Sequence, residues 1–220
     1  MAVVLVLGVA TAARAERSEA ARMRALLDEA APAPSAEERA TLQRRQQEFA
    51  DAHHRSTMMV FPVCIGQATD TECAVNLAKL LTRAEVCRAC SVGRPITVGA
   101  ARPDSGEAAL WNFAREVRAY LRKTPAAADY ALFANFVVTP DRGALGCVQF
   151  VLCDARGEWV MVDWQNLDPA EHQTGGGSAI KSDCDVLIVQ RLVRFLATVL
   201  ADPRSASQGI LSGPSVTLNR

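Results

Sequence analysis

The spacing of apolar positions changes character several times along the chain. Residues 57–66, TMMVFPVCIG, are a short apolar run closed by glycine and predict a buried strand. In the next stretch, DTECAVNLAKLLTRA, Cys73, Leu77, Leu80 and Leu81 recur at helical spacing. RPITVGA, residues 94–100, reads as a second strand. SGEAALWNFAREVRAYLRKTP places Ala109, Leu110, Phe113, Val117, Tyr120 and Leu121 on one helical stripe, with Pro125 just beyond its end. The period then shortens. DYALFANFVVTP, ALGCVQFVLCD and EWVMVDWQ predict three strands joined by the turns DRG and ARG, an antiparallel meander. The segment NLDPAEHQTGGGSAIKS reads as a loop, and SDCDVLIVQRLVRFLATVLAD as a closing helix with aspartates in its first turn.

Ahead of these elements the pattern differs. AVVLVLGVATAARA is an apolar run ending in Ala13-Arg14-Ala15, a signal-peptidase pattern, so residues 1–15 read as an export signal. The run is too short for a membrane span, which needs roughly 20 apolar residues. SEAARMRALLDEAA predicts a helix and PAPS breaks it. Ser35 and Glu38 then form a capping-box pattern that opens a second helix. Its apolar positions are sparse, chiefly Leu42 and Phe49, which predicts loose packing or a projecting spacer.

The expected organisation is therefore a signal at 1–15, a helical arm at 16–56, an α/β domain at 57–202 and a disordered tail at 203–220. The expected fold is α/β (α+β): a mixed sheet of about five strands in the order β-α-β-α-β-β-β-α, with an antiparallel C-terminal meander and the N-terminal helical arm.

Composition narrows the function. Lys plus Arg equals Asp plus Glu, at 24 each, so nothing favours nucleic acid or an anionic membrane surface. Aromatic residues are 5%, a poor supply of stacking platforms for single strands. The chain has seven cysteines, Cys64, Cys73, Cys87, Cys90, Cys147, Cys153 and Cys184. In an oxidising compartment disulfides are open to them, and an odd count leaves at least one thiol over.

Cys87 and Cys90 form a C-x-x-C pair. A structural zinc normally takes four ligands, and no second pair stands at zinc spacing; His53 and His54 are adjacent on a polar helix. A redox pair sits best at a helix start, whereas these two follow the expected end of a helix, where the dipole opposes a thiolate. Buried thiols, or one disulfide from the helix exit to a neighbour, are the favoured reading. Cys147 and Cys153 share a strand and a face, roughly 20 Å apart at 3.3 Å per residue, too far to pair with each other. A catalytic reading combines Cys147 or Cys153 with His172 in the loop and Asp163 at the end of the last strand. No nucleophile-elbow pattern surrounds either cysteine. Trp159 and Trp164 differ by an odd number, so one should face the core and the other outward, which makes Trp164, with His172, a candidate binding residue. GGGS at 175–178 lacks the flanking pattern of a phosphate cradle. No cofactor is expected.

Val60 to Pro62, Ala128 to Leu132 and Asp154 to Val160 resemble three motifs of a group of bacterial envelope domains: a V-x-P strand, an ADY strand and a D-x-x-G-x-x-V hairpin end. The group includes the TolB amino-terminal domain and the curli-secretion lipoproteins. The resemblance covers about Met58 to Ala201. FANF replaces the glycine typical of the second motif, and the lipid-anchor cysteine is absent. The resemblance implies an exported, periplasmic or secreted, non-enzymatic domain. Its partners would be another envelope protein or a second copy of itself. It supplies no catalytic residues.

Overall fold

The structure, a computed structural model, describes residues 35–66, 68–96, 107–138, 145–167 and 177–201. The expected signal, first arm helix and tail, the DRG turn and His172 lie outside the described residues. In chain order the elements are α1 (Ala36–Ala52), β1 (Thr57–Val60), β2 (Val63–Ile65), β3 (Ala68–Asp70), α2 (Thr71–Arg83), β4 (Ala89–Val92), α3 (Glu107–Lys123), β5 (Tyr130–Val138), β6 (Leu145–Asp154), β7 (Trp159–Asn166) and α4 (Gly177–Ala201).

The seven described strands form one mixed sheet, an α/β fold as expected. β5 is its axis and is buried at all seven central positions, as a strand covered by helices on both faces must be. Along one edge β5 pairs in parallel with β1 through Met58–Tyr130 and with β2 through Cys64–Asn135. β1 and β2 are therefore one line of chain, interrupted at Phe61-Pro62, where proline has no N–H to give the ladder. Phe61 still donates its N–H to Leu132 O at 2.9 Å, which keeps the line in register. On its other edge β5 pairs antiparallel with β6, and β6 with β7. The expected meander is present.

The sheet has seven described strands rather than about five, because the first expected strand is split into β1 and β2 at Phe61-Pro62 and Ala68–Asp70 adds β3; two placements also differ from the sequence expectation. The second strand is not RPITVGA: β4 runs five residues earlier, in register Thr57–Ala89 to Val60–Val92. Arg94–Ile96 carry no strand, and residues 97–100 lie outside the described residues. Gly93 closes this ladder by donating to Val60 O, and a β-carbon there would stand 2.9 Å from the Phe61 ring. Pro95 has no N–H to continue it. The closing helix also starts earlier, at Gly177, inside the segment that reads as a loop. Three glycines in a row suppress a helical reading of sequence, yet the helix is carried by the apolar run from Val186 onward.

On one face of the sheet α2 and α4 cover a continuous core that includes Leu132, Ala134, Phe136, Phe150, Leu77 and Ile188. α3 covers β6 and β7 on the other face, and Trp159 donates its indole N–H to Ala114 O at 3.0 Å. The expectation of a loose or projecting arm is corrected for α1, which belongs to the same unit as the sheet. Its apolar residues are few but aligned. Leu42, Phe49 and Ala50 are buried, with Gln46 between them. Phe49 meets the edge of Tyr130 at 4.7 Å and stacks on Phe195. Full burial of one such phenyl ring stabilises by about 1.5–3 kcal/mol. The Ser35–Glu38 capping box forms as expected.

Candidate functional site

The C-x-x-C pair sits where the chain reverses between α2 and β4. α2 ends at Arg83, and Glu85 takes a left-handed conformation, φ 54°, to turn the chain. Val86 N–H returns to Leu81 O, and Arg88 N–H donates to Ser56 O at 2.9 Å. Both ends of the turn are thus fixed. Cys87 is buried, Cys90 is half-buried on β4, and their sulfurs lie 3.1 Å apart. Cys90 is therefore on a strand, not at a helix end as the sequence suggested. The helix dipole fades within the last turn and does not oppose a thiolate seven residues past Arg83. The hydrogen bond between the two sulfurs draws the Cys90 thiol below its ordinary value, and the same contact, with burial, pushes Cys87 up. Among the described residues no group of His, Cys, Asp and Glu could hold a metal ion.

Between α2 and α4 lies a second cluster. Cys73 donates its thiol hydrogen to Asp185 Oδ1 at 3.1 Å, with both side chains buried. Burial pushes the Asp185 carboxyl up to about 6. Asp70 caps α2 by accepting from Cys73 N–H and is held by Lys181 Nζ at 2.7 Å. The Lys181 hydrogen bond keeps Asp70 below the usual carboxylate range. Cys184, close by on α4, has its thiol pushed up to about 12 by burial and by the neighbouring carboxylates.

Among the described residues of the catalytic reading, the two cysteines and Asp163 are not brought together. Cys147 and Cys153 are fully buried on β6, and burial raises both thiols, Cys147 to about 12. Asp163 pairs across β7–β6 with Phe150, one step out of phase with both cysteines, so it points to the other sheet face. There it is engaged by Arg191 of α4 through two hydrogen bonds of 2.7 and 2.8 Å.

The two tryptophans do not divide between core and surface as expected, and the reason is definite. The register shifts between Cys153–Trp159 and Leu152–Met161, a bulge with Val160 as the extra residue. Trp164 opposite Gln149 and Trp159 opposite Cys153 therefore share a face. Trp159 is buried against Trp111 at 5.5 Å, and Trp164 is half-buried rather than exposed.

An open groove of about 560 Å³ lies beside the start of β5, with Arg45, Tyr130, Asp129 and Asp154 in its wall. Its charges are used internally. Asp129 accepts from Thr57 N–H and Oγ1, both at 2.8 Å. Asp154 pairs with Arg45 and accepts from the N–H groups of Arg156 and Glu158.

The feature the sequence reading passed over is the outer face of α4. Val186, Val193 and Leu200 are 39, 41 and 51% exposed, each seven residues from the next. The spacing was legible in DVLIVQRLVRFLATVL, but an almost wholly apolar helix does not say which of its sides is left uncovered. Among the described residues no helix is long and apolar enough to cross a membrane.

No family model and no curated protein matches the chain. Among solved structures it is similar to a dodecamer of a PelC point variant from Paraburkholderia phytofirmans, at 14% identity and a TM-score of 0.34, over 62% of this chain and 88% of that one. A likeness of that degree carries no functional argument.

Proposed function

We propose that the chain is an exported, non-enzymatic envelope domain that works by assembly, and that its assembly face is the outer side of α4. The carrying observation is the exposed Val186–Val193–Leu200 stripe. Solvated apolar residues scattered singly are ordinary, but these three recur on one side of one helix. The strip suits a second copy of itself. Residues 186 and 200 are equidistant from 193, so an antiparallel neighbour related by a two-fold axis at Val193 sets Val186 against Leu200 twice and Val193 against itself. The resemblance of Val60–Pro62, Ala128–Leu132 and Asp154–Val160 to TolB-type and curli-type domains, and the signal-like start, support an envelope setting.

Light scattering across a concentration series tests the assembly. The wild type should be dimeric at about 10 μM, a modest protein–protein affinity. Val193→Asp should be monomeric with an unchanged circular dichroism spectrum. A wild type that stays monomeric at about 100 μM overturns the α4 interface. Intact mass of the chain from its native host tests export: loss of residues 1–15 is expected, and an uncleaved chain removes the envelope setting. Substrate turnover lost in Cys147→Ala or Cys153→Ala would replace the assembly reading with a cysteine hydrolase.

A further inference from the structure

Seven cysteines are spread over this fold, and the thiols of six are raised above their ordinary value. Burial raises the thiols of Cys64, Cys73, Cys147, Cys153 and Cys184, and Cys87 is raised by its partner. Cys90 differs. It is half-buried on β4, which among the described strands pairs with β1 alone and so lies at a sheet edge. Its sulfur is 3.1 Å from that of Cys87, and a disulfide bond is about 2.05 Å long. Closure requires about 1 Å of sulfur movement, within the reach of a small χ1 rotation at each residue. Val86 N–H to Leu81 O and Arg88 N–H to Ser56 O hold the turn on either side of Cys87.

We propose that Cys87 and Cys90 form a reversible dithiol–disulfide site, oxidised by exchange with a small-molecule or protein disulfide. Cys90 is the attacking sulfur, since it is the accessible one. Its thiolate attacks one sulfur of the incoming disulfide; a Cys90–S–S–R bond forms, and the second sulfur leaves as a thiolate that takes up a proton. Cys87, which hydrogen-bonds Cys90, then loses its proton to solvent and attacks Cys90 Sγ. The Cys87–Cys90 bond forms and R leaves as its thiol. Two protein thiols and one external disulfide become one protein disulfide and two external thiols, a balanced two-electron exchange. A reducing dithiol reverses it. Cys87 is buried and cannot itself meet a large oxidant, so the order of attack is fixed by burial. The bond would tie the turn after α2 to the start of edge strand β4.

The test uses the full chain equilibrated in a series of reduced-to-oxidised glutathione ratios, quenched with acid, alkylated in denaturant and weighed intact. Alkylatable thiols should fall from seven to five as the buffer becomes oxidising, with peptide mapping placing the loss at Cys87 and Cys90. Excess dithiothreitol should restore all seven. Cys87→Ala should instead accumulate glutathione on Cys90, because nothing resolves the mixed disulfide. Seven alkylatable thiols at every ratio would overturn the proposal. So would a disulfide joining any other pair, or a glutathione adduct on Cys90 of the wild type that never closes. The wild-type titration decides the matter even where the variant fails to fold.

Discussion

Arg191 of α4 grips Asp163 of β7 from the side, with Nε 2.7 Å from Oδ2 and Nη2 2.8 Å from Oδ1. The side chains are only 17 and 10% exposed, so this is a fork-shaped pair in a largely desolvated setting. It fixes the rotation of α4 over the sheet and with it the side that α4 turns to solvent. Arg191→Ala leaves a buried carboxylate uncompensated and should lower stability by about 3 kcal/mol, read as a fall in the urea midpoint. Arg191→Met combined with Asp163→Leu removes both charges and should recover most of that loss. Equal midpoints for the wild type and Arg191→Ala would show that the pair contributes little.

Asp185 gives the protein an unusual pH dependence. Its carboxyl rises from 3.8 to about 6 on folding, chiefly by burial. The folded state therefore holds the proton more tightly than the unfolded chain. The contribution is full below about pH 4 and is lost as pH rises through about 6. The shift corresponds to a few kcal/mol at most, on the order of 3. Asp70, Asp129 and Glu158 act in the opposite sense, since their carboxyls are lowered and their contributions are lost on acidification. Asp185→Asn keeps an acceptor for the Cys73 thiol and removes the buried charge. It should raise the urea midpoint at pH 7 and leave it nearly unchanged at pH 4. A midpoint gain of the same size at both values would refute the assignment.

The meander and the helices α2 and α3 were legible because their apolar periods run long enough to exclude other readings. The site residues were less so, and the reasons are local. A one-residue bulge at Val160 turned the Trp159/Trp164 parity over, and nothing in EWVMVDWQ marks it. The true edge strand is ACSV, which looks less strand-like than PITV; it pairs because β1 offers it an edge, a tertiary cause no propensity contains. Moving that strand upstream took Cys90 off the helix end, which removed the dipole's opposition to its reactivity. Arg191 did leave a sequence signal, as one of two charges between Val186 and Leu200. Its partner could not be read, since Asp163 is 28 residues away.

Gly157 closes the turn between β6 and β7 under two constraints at once. Its φ is 88°, and a β-carbon there would stand 2.9 Å from both Arg118 O and Leu121 Cβ of α3. The turn is the point at which α3 comes down on the meander, and neither the backbone oxygen nor Cβ can swing aside. Gly157→Ala should therefore destabilise by about 2–4 kcal/mol, strain and overlap together. Thermal unfolding checks this. Arg156→Ala, one residue away on the exposed side, should change the midpoint by less than about 1 °C.

Asn135 and Gln149 face each other across β5 and β6, with Asn135 Nδ2 donating to Gln149 Oε1 at 3.1 Å. Both are buried, and among the described residues Asn135 Oδ1 and Gln149 Nε2 meet no hydrogen-bond partner. One bond thus holds two amides that carry further unmet capacity in a low-dielectric layer. The asymmetry of hydrogen-bond energetics makes the outcome depend on how many partners are removed. Asn135→Leu alone strands Gln149 Oε1 as well and should cost about 1–3 kcal/mol. Asn135→Leu with Gln149→Leu removes every orphaned group and should match or exceed wild-type stability. A double-mutant cycle of urea midpoints reads the coupling directly. If the double variant is less stable than either single one, the amides meet polar partners that make the pair a net stabilising element, and this account of the sheet interior fails.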